Sequence, residues 1–443
     1  MSLLTRLHRL KAPNIPARQI FGLDYADGDD GIGTPPEQRS SMQHLYWNGV
    51  FSLFSEGMTA SYTNLFLLTL NASNTQIGFL NTITQIATAI APLPGATLAD
   101  RSGQYRTQIL VPNIVARLGL LLLALVPYVH FGLPVVSVAI GLLVARVVLT
   151  SFTTASWTAF VGHLVPARIR GKYFSARTFA MSITNMLGAL AAGQLITAIG
   201  NPAGYSVIFV LACVVGLIAS WSFARIPADH HPQRAVPSSN ELSLPVPSFR
   251  QMLATSPQFA RFVLCACLLA FGVNIGGPFI QVYQVRVLGF TAGNVGLLTS
   301  LEAFSALVMG RIYGAFFFAK YGEFRVMRVL RFLTALIPFG WIFAPSIGWG
   351  IMIVLTTGAV WSGHELANFN GLLSVTPEQG RARFIALYTL AFSLCAALGP
   401  VIGGVLSEVL GYQALFAISA ALRASAGLLF LVLVKDWQKP FLA

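Results

Sequence analysis

The sequence predicts an all-α polytopic membrane protein, with twelve transmembrane helices in two pseudo-symmetric six-helix bundles. Three observations predict it: the composition, the recurrence of long apolar stretches, and a charged motif that occurs twice. Of 443 residues, 55% are hydrophobic and only 10% charged, with mean hydropathy +0.69. A soluble domain carries about 25% charged residues, so this chain lacks the polar residues to cover a water-facing surface. Apolar stretches of roughly 20 residues recur along its length, enough to cross a hydrocarbon core of ~30 Å. The short alternating strands of an outer-membrane barrel are absent from the pattern.

The apolar stretches place spans at about 46–70, 76–97, 108–129, 134–160, 179–198, 204–224, 262–283, 291–312, 327–345, 348–373, 384–407 and 412–434. The net charge of +13 reports topology rather than nucleic-acid binding. Of 28 Lys and Arg residues, 24 lie in the two tails or in and beside the loops that follow spans two, four, six, eight and ten. The opposite loops hold one, Arg286, and Arg117, Arg146 and Arg423 lie within spans. By the positive-inside rule both termini are expected in the cytoplasm, with the protein in a bacterial inner membrane.

Composition shifts divide the chain. A tail (1–45) precedes a first bundle (46–225). A Pro- and Ser-rich cytoplasmic linker (226–260) separates it from a second bundle (261–434), and a short tail (435–443) follows. In the first tail, "SLLTRLHRLKA" reads as a short helix on the cytoplasmic leaflet or as a basic solvated tail. "DYADGDDG" misses the spacing of a calcium loop and reads as solvated. Cys213, Cys265, Cys267 and Cys395 fall in apolar spans and read as free thiols, fitting neither a disulfide framework nor a zinc site. No cofactor or metal is expected.

The two bundles align on each other. "NTQIGFL" before span two answers "AGNVGLL" before span eight, which puts Gly78 over Gly296 at an offset of 218. "GATLADRSGQYR" answers "GAFFFAKYGEFR", with Gly95, Gly103 and Arg106 over Gly314, Gly322 and Arg325. Later in each bundle the offset is 211, where Pro166 and Arg170 meet Pro377 and Arg381, and Gly188 and Gly193 meet Gly399 and Gly404.

Twelve spans in two related halves with a charged turn after span two resemble the major facilitator superfamily, whose loop signature is roughly G-x-L-A-D-R-x-G-R-K. Leu98, Ala99, Asp100, Arg101 and Gly103 match it; Ala96, Gln104 and Tyr105 depart from it, and the second copy has Ala319 at the acidic position. The resemblance covers spans one to twelve. It implies a secondary transporter that moves a small solute by alternating access, with spans one, four, seven and ten lining a central cavity. The motif suits a cytoplasmic gate of Gly95, Asp100, Arg101, Gly103, Arg106, Lys320, Gly322 and Arg325. Its glycines allow a tight turn and close helix approach, and its charges allow a reversible link. The plainer reading is a polar turn that satisfies the positive-inside rule.

Ionisable groups at membrane depth are costly and mark function or pairing. Glu56 in span one falls over Asn274 in span seven, Arg146 is central in span four, and "WSGHELANFNG" gives span ten His364, Glu365 and Asn368. These six are the expected cavity residues; structural ion pairing between helices is the alternative. "GLLVAR", ending at Arg146, resembles the arginine motif of proton-coupled members. Glu56, Glu365 and Glu302 are the candidate proton carriers, and Arg117 receives no role. "LGPVIGG" in span eleven resembles an antiporter motif but sits on the wrong span, and reads as a glycine-rich packing face. Aromatic residues Tyr62, Phe66, Trp157 and Trp361 are expected in the cavity wall and lean toward an amphiphilic solute. No phosphate-binding G-x-x-x-x-G-K-[ST], H-E-x-x-H or G-x-S-x-G occurs, which argues against ATP drive and against an enzyme. The first reading is therefore a monomeric secondary transporter performing proton-coupled efflux. A proton-coupled uptake permease, an integral-membrane enzyme and a non-transporting sensor are the alternatives.

Overall fold

A computed structural model describes residues 35–129, 132–227, 256–377 and 381–434. Most of the first tail, most of the linker, the final tail and the side chain of Asp100 lie outside the described residues. Among the described residues the chain is helical without strands, and eight helices are long and apolar enough to cross a membrane by length and composition alone. Large apolar side chains such as Leu122, Trp221, Met352 and Val432 cover the outer surface, as a lipid solvent requires.

Span one is Pro36–Ala60 continued by Thr63–Thr69. Span two is Asn74–Ile90 and Pro92–Ser102, broken where Pro92 and Pro94 remove backbone donors. Spans three to six are Tyr105–Leu125, Val135–Phe152 with Thr154–Leu164, Ala167–Ile199 and Ala203–Ala224. Spans seven and eight are Pro257–Arg286 and Ala292–Ile312, the latter passing through a π-helical turn at Tyr313–Phe317 into Phe318–Tyr321. Spans nine to twelve are Glu323–Ile342, Ile347–Val375, Arg381–Val409 and Gly411–Leu433. Several helices outrun their apolar stretch. Span five begins 12 residues earlier than hydropathy alone places it, because hydropathy marks the hydrocarbon crossing while the backbone ladder continues into the polar zone.

The two offsets found in the sequence reappear as matched contacts between the halves. Span two packs on span eleven, and span eight packs on span five. A Cβ on Gly78 would lie 2.2 Å from the Pro400 carbonyl oxygen, and one on Gly296 would lie 2.8 Å from that of Ala189. Glycine is required at both for backbones to approach this closely. Thr82 Oγ1 donates to Ala397 O at 2.6 Å; its repeat mate Ser300 donates to Met186 O at 3.0 Å. At the start of span two, Thr75 N donates to Glu408 at 2.9 Å; at the start of span eight, Gly293 N donates to Thr197 Oγ1 at 2.8 Å. All three pairings obey the 218 and 211 offsets. Gly399, Gly403 and Gly404 of "LGPVIGG" lie against spans seven and two, as a packing face should.

One contiguous apolar core joins the halves at the end away from the charged motif, bringing Phe66, Ala192 and Ile196 together with Phe279, Val295 and Phe416. At the motif end there are two separate cores, one built around Leu45, Tyr105 and Phe160 and the other around Phe262, Met327 and Phe384. The halves thus share one core, which in the second half runs on to Tyr313, Val326 and Leu330, while at the motif end each half adds a core of its own. Tyr62 and Phe66, expected in a cavity wall, are instead fully buried in the fused core. Cys213 and Cys265 are buried and Cys267 and Cys395 partly so, all as free thiols.

Overpacking a tight helix contact costs about 1–3 kcal/mol. Gly78→Val and Gly296→Val should therefore lower the melting temperature of the purified protein by similar amounts. Gly119→Val, at a site with nothing within 4 Å, should leave it unchanged. Thermal unfolding of the three variants reads the comparison.

Candidate functional site

The polar groups of the interior fall into four clusters, with further polar contacts at each end of the bundle. In the first half, Arg146 of span four pairs with Glu56 of span one and lies 3.5 Å from Thr59 Oγ1. The arginine is 13% exposed and the carboxylate 45%, so the acid is the more accessible member of the pair. Glu56 is the partner of Arg146; Glu365 is not.

In the second half, a cavity of about 380 Å³ is lined by spans seven, eight, nine, ten and twelve. Asn274, Gln281, Gln284, Thr299, Glu302 and Trp361 supply its working surface. Asn274 accepts from Gln85 of span two at 3.3 Å, so it touches the opposite half. Glu302 has no hydrogen-bond or ion-pair partner among the described residues. Arg423 lines the same cavity with its donors committed to the carbonyls of Gly272, Thr334 and Val273 at 3.3, 3.1 and 3.4 Å. Trp361 lines the cavity, and Glu365 lies one turn further along the same helix face, exposed.

His364 and Asn368, expected beside Glu365 in the cavity, do not line it. His364 is buried edge-on to Trp361, with both ring nitrogens unpartnered. Asn368 donates to Tyr388 Oη at 2.8 Å and accepts from Arg331 at 3.5 Å. Arg331 is 0% exposed and lies over the Phe430 ring at 4.0 Å. The charge count assigns it to the loop side, where it does not lie. Asn368 turns toward spans nine and eleven, where Arg331 and Tyr388 hold it away from the cavity.

The first half holds its own cavity of about 240 Å³ among spans one, three, four, five and six, lined by Asn48, Asn113, Arg117, Trp157 and Arg177. Trp157 therefore lines a cavity within the first half, and Arg117 lines it as well.

The fused end is sealed by polar bonds between the halves. Arg286 donates to Asn74 Oδ1 at 2.9 Å and to Ala72 O at 2.8 Å, and Asn74 donates to Ser407 and Tyr412 at 2.9 and 2.8 Å. Thr75 Oγ1 donates to Glu408 at 2.8 Å. Sequence reasoning assigns Arg286 no role, although its isolation on the sparsely charged side is the available signal.

At the motif end the contacts of Gly95, Arg106 and Lys320 stay within their own halves. Gly95 meets the Phe152 carbonyl, holding span two against span four, whereas Gly314 has no atom nearer than 3.9 Å. Gly103 and Gly322 both adopt positive φ, 66° and 77°, at the turns. Arg106 donates to Ala224 O at the end of span six. In the second half Arg328 donates to Val434 O at the end of span twelve, at 3.0 Å, which makes it a functional counterpart of Arg106 one turn beyond Arg325. Arg101 is exposed, and Lys320 rests on the rings of Phe316 and Tyr321 at 5.5 and 4.9 Å. The charge contact that crosses the halves here is Arg311 over Phe179, at 5.2 Å. No group of three or more His, Cys, Asp or Glu residues forms a metal cage among the described residues.

Removing Glu56 leaves the largely buried Arg146 uncompensated, while removing both does not. Glu56→Gln should therefore lower the melting temperature more than the double variant Glu56→Gln/Arg146→Gln. Equal losses would place the pair's charge in free contact with water.

Known proteins agree with this geometry. A stretch of 170 residues is 31% identical to the multi-drug resistance efflux pump PmrA homolog of Lactococcus lactis subsp. lactis (strain IL1403), taking in 37% of this chain and 40% of that protein. The fold matches a bacterial homologue of the iron transporter ferroportin in its inward-facing state, with TM-score 0.70, 16% identity, 89% of this chain and 99% of that one. It also matches the nucleoside transporter NupG, with TM-score 0.67, 14% identity, 89% of this chain and 99% of that one. The profile of the Major Facilitator Superfamily fits residues 45–379, and with the paired six-helix halves just described the chain belongs to that family of membrane transporters.

Proposed function

We propose that this transporter is a proton-coupled exporter of a small organic solute, working by alternating access as a monomer in a bacterial inner membrane. Both termini and the motif end then lie in the cytoplasm, and the state described is open to that side. The observation that carries the reading is the asymmetry of the cores: one shared core at the far end and two independent cores at the motif end. Halves joined at one end can rock about the contact between spans two and eleven and between spans five and eight, exposing a central site to each side in turn.

Glu302 supports proton coupling. It lines the second-half cavity without a cationic partner among the described residues. Occluding an unpaired carboxylate is costly, and much less so once it carries a proton. A carboxyl that must load a proton before the cavity closes links proton movement to the conformational cycle. Glu56 is held by Arg146 and Glu365 is exposed, so Glu302 is the first candidate of the three. Export is supported by the efflux-pump relative. Asp100 and Arg101 retain the gating role that the family motif implies, exercised when the motif end closes.

In inside-out proteoliposomes screened with cationic, neutral and anionic organic solutes, an inwardly acidic gradient should drive accumulation of one class. Glu302→Gln should abolish that accumulation while keeping exchange of labelled solute, and Glu365→Gln should keep both. Gradient-driven accumulation that survives Glu302→Gln would remove it as the carrier.

A further inference from the structure

The first-half cavity is chemically opposite to the second-half cavity. Two guanidinium groups line it, and among the described residues no carboxylate does. Arg177 is 5% exposed and donates from Nε to Leu45 O at 3.2 Å. Its two terminal nitrogens make no hydrogen bond to a described residue. They lie against Gly49, where any Cβ would meet Nη2 at 2.5 Å. The guanidinium carbon stands 5.3 Å from the Trp157 ring centre.

Arg117 is held by two hydroxyls and no acid: Nη2 donates to Ser52 Oγ at 2.8 Å, and Nη1 donates to Ser220 Oγ. Glu56, whose charge also reaches Arg117, is paired with Arg146. Asn48 and Asn113 spend their amide donors on the Ala219 and Ile109 carbonyls, at 2.9 and 2.7 Å.

Arg423 performs the same three-helix staple in the second half, with three backbone carbonyls as acceptors and Glu302 in the same cavity wall. The first half, by contrast, puts two arginines in one cavity wall whose hydrogen bonds go only to hydroxyls and a carbonyl, while Glu56, which also acts on Arg117, is paired with Arg146. Burying a guanidinium without a counter-ion of its own is costly, and a guanidinium suits the bidentate geometry of an oxyanion. Leu53, Trp157, Met181 and Phe223 make the remaining wall apolar and aromatic.

We infer that this cavity receives the anionic group of the transported solute, and that the cargo is a small amphiphilic organic monoanion of about one ring with a carboxylate or sulfonate. The inference rests on the transporter reading and names its substrate class. The anion lies between Arg117 and Arg177, and the apolar body lies along Trp157, Met181 and Leu53. A cavity of about 240 Å³ lies just below the ~300–1,000 Å³ of drug-sized sites, which sets the size limit. Cargo charge is then handled by the first half and the proton by the second.

Calorimetric titration of benzoate, benzenesulfonate and neutral benzamide into the full-length protein tests this. The two anions should bind, and benzamide at least tenfold more weakly. Arg177→Gln should weaken anion binding at least tenfold. Ser52→Asp, which places a carboxylate beside Arg117, should do the same while keeping or raising the melting temperature, so loss of binding is separable from loss of fold. Binding is read with no proton gradient present, which separates failure of this site from failure of proton coupling. Labelled benzenesulfonate should show counterflow in proteoliposomes. Equal affinity for benzamide, undiminished binding in both cavity variants, or binding without counterflow would each overturn the assignment.

Discussion

The structure depends on backbone contact between halves without intervening side chains. Where span two meets span eleven and span eight meets span five, glycines let the chains approach until a methyl group would not fit. In lipid there is no hydrophobic drive to hold helices together, so association falls to close packing and to hydrogen bonds across the contact. Here the bonds come in repeat-related pairs. The hydroxyls of Thr82 and Ser300 each reach a backbone carbonyl of the other half. On span eleven the acceptor lies in the turn before Pro400, whose ring removes a rung from the helix ladder. Thr82 Oγ1 also accepts from Val401 N at 3.2 Å, so a side chain of one half completes the backbone of the other. Two such seams give an axis about which the halves can tilt without exposing unsatisfied backbone.

The duplicated scaffold carries unlike chemistry. The seams, the turn glycines and the arginine staples repeat, whereas the cavities do not. One half lines its cavity with arginines, the other with Glu302, unpaired among the described residues, and an arginine committed to backbone. The gates differ as well. The far end is closed by Arg286, Asn74 and Glu408 reaching across the halves. At the motif end, the polar bonds of Arg106 and Arg328 remain within their own halves.

The fold was legible because hydrocarbon thickness writes itself into apolar length, and duplication leaves offsets that survive divergence. Those same offsets, taken from glycines and prolines, describe the hydroxyl and capping bonds between halves. Helix ends were less legible, since backbone pairing continues where apolarity stops. The site was legible in part. Glu56, Arg146, Asn274 and Glu302 stood out as polar groups at depth. His364 and Asn368 were misplaced because adjacency in sequence does not fix which face of a helix a residue takes. Arg177 and Arg331 were missed for another reason: near a helix end, a buried arginine counts the same as a loop arginine in any tally of charge. Tyr62 and Phe66 show that aromatic content alone does not separate core from cavity wall.

The central claim is that the two ends of the molecule open and close in opposition about the glycine seams. In a cysteine-free background, spin labels at Gln104 and Tyr321 report the motif end, and labels at Ser73 and Leu410 report the other. Distance distributions for both pairs should be measured by pulsed electron–electron resonance at pH 8 and pH 5. The account predicts a second population on changing pH in which the first distance shortens as the second lengthens. Distances that change in the same sense, or one end moving while the other stays fixed, would contradict it.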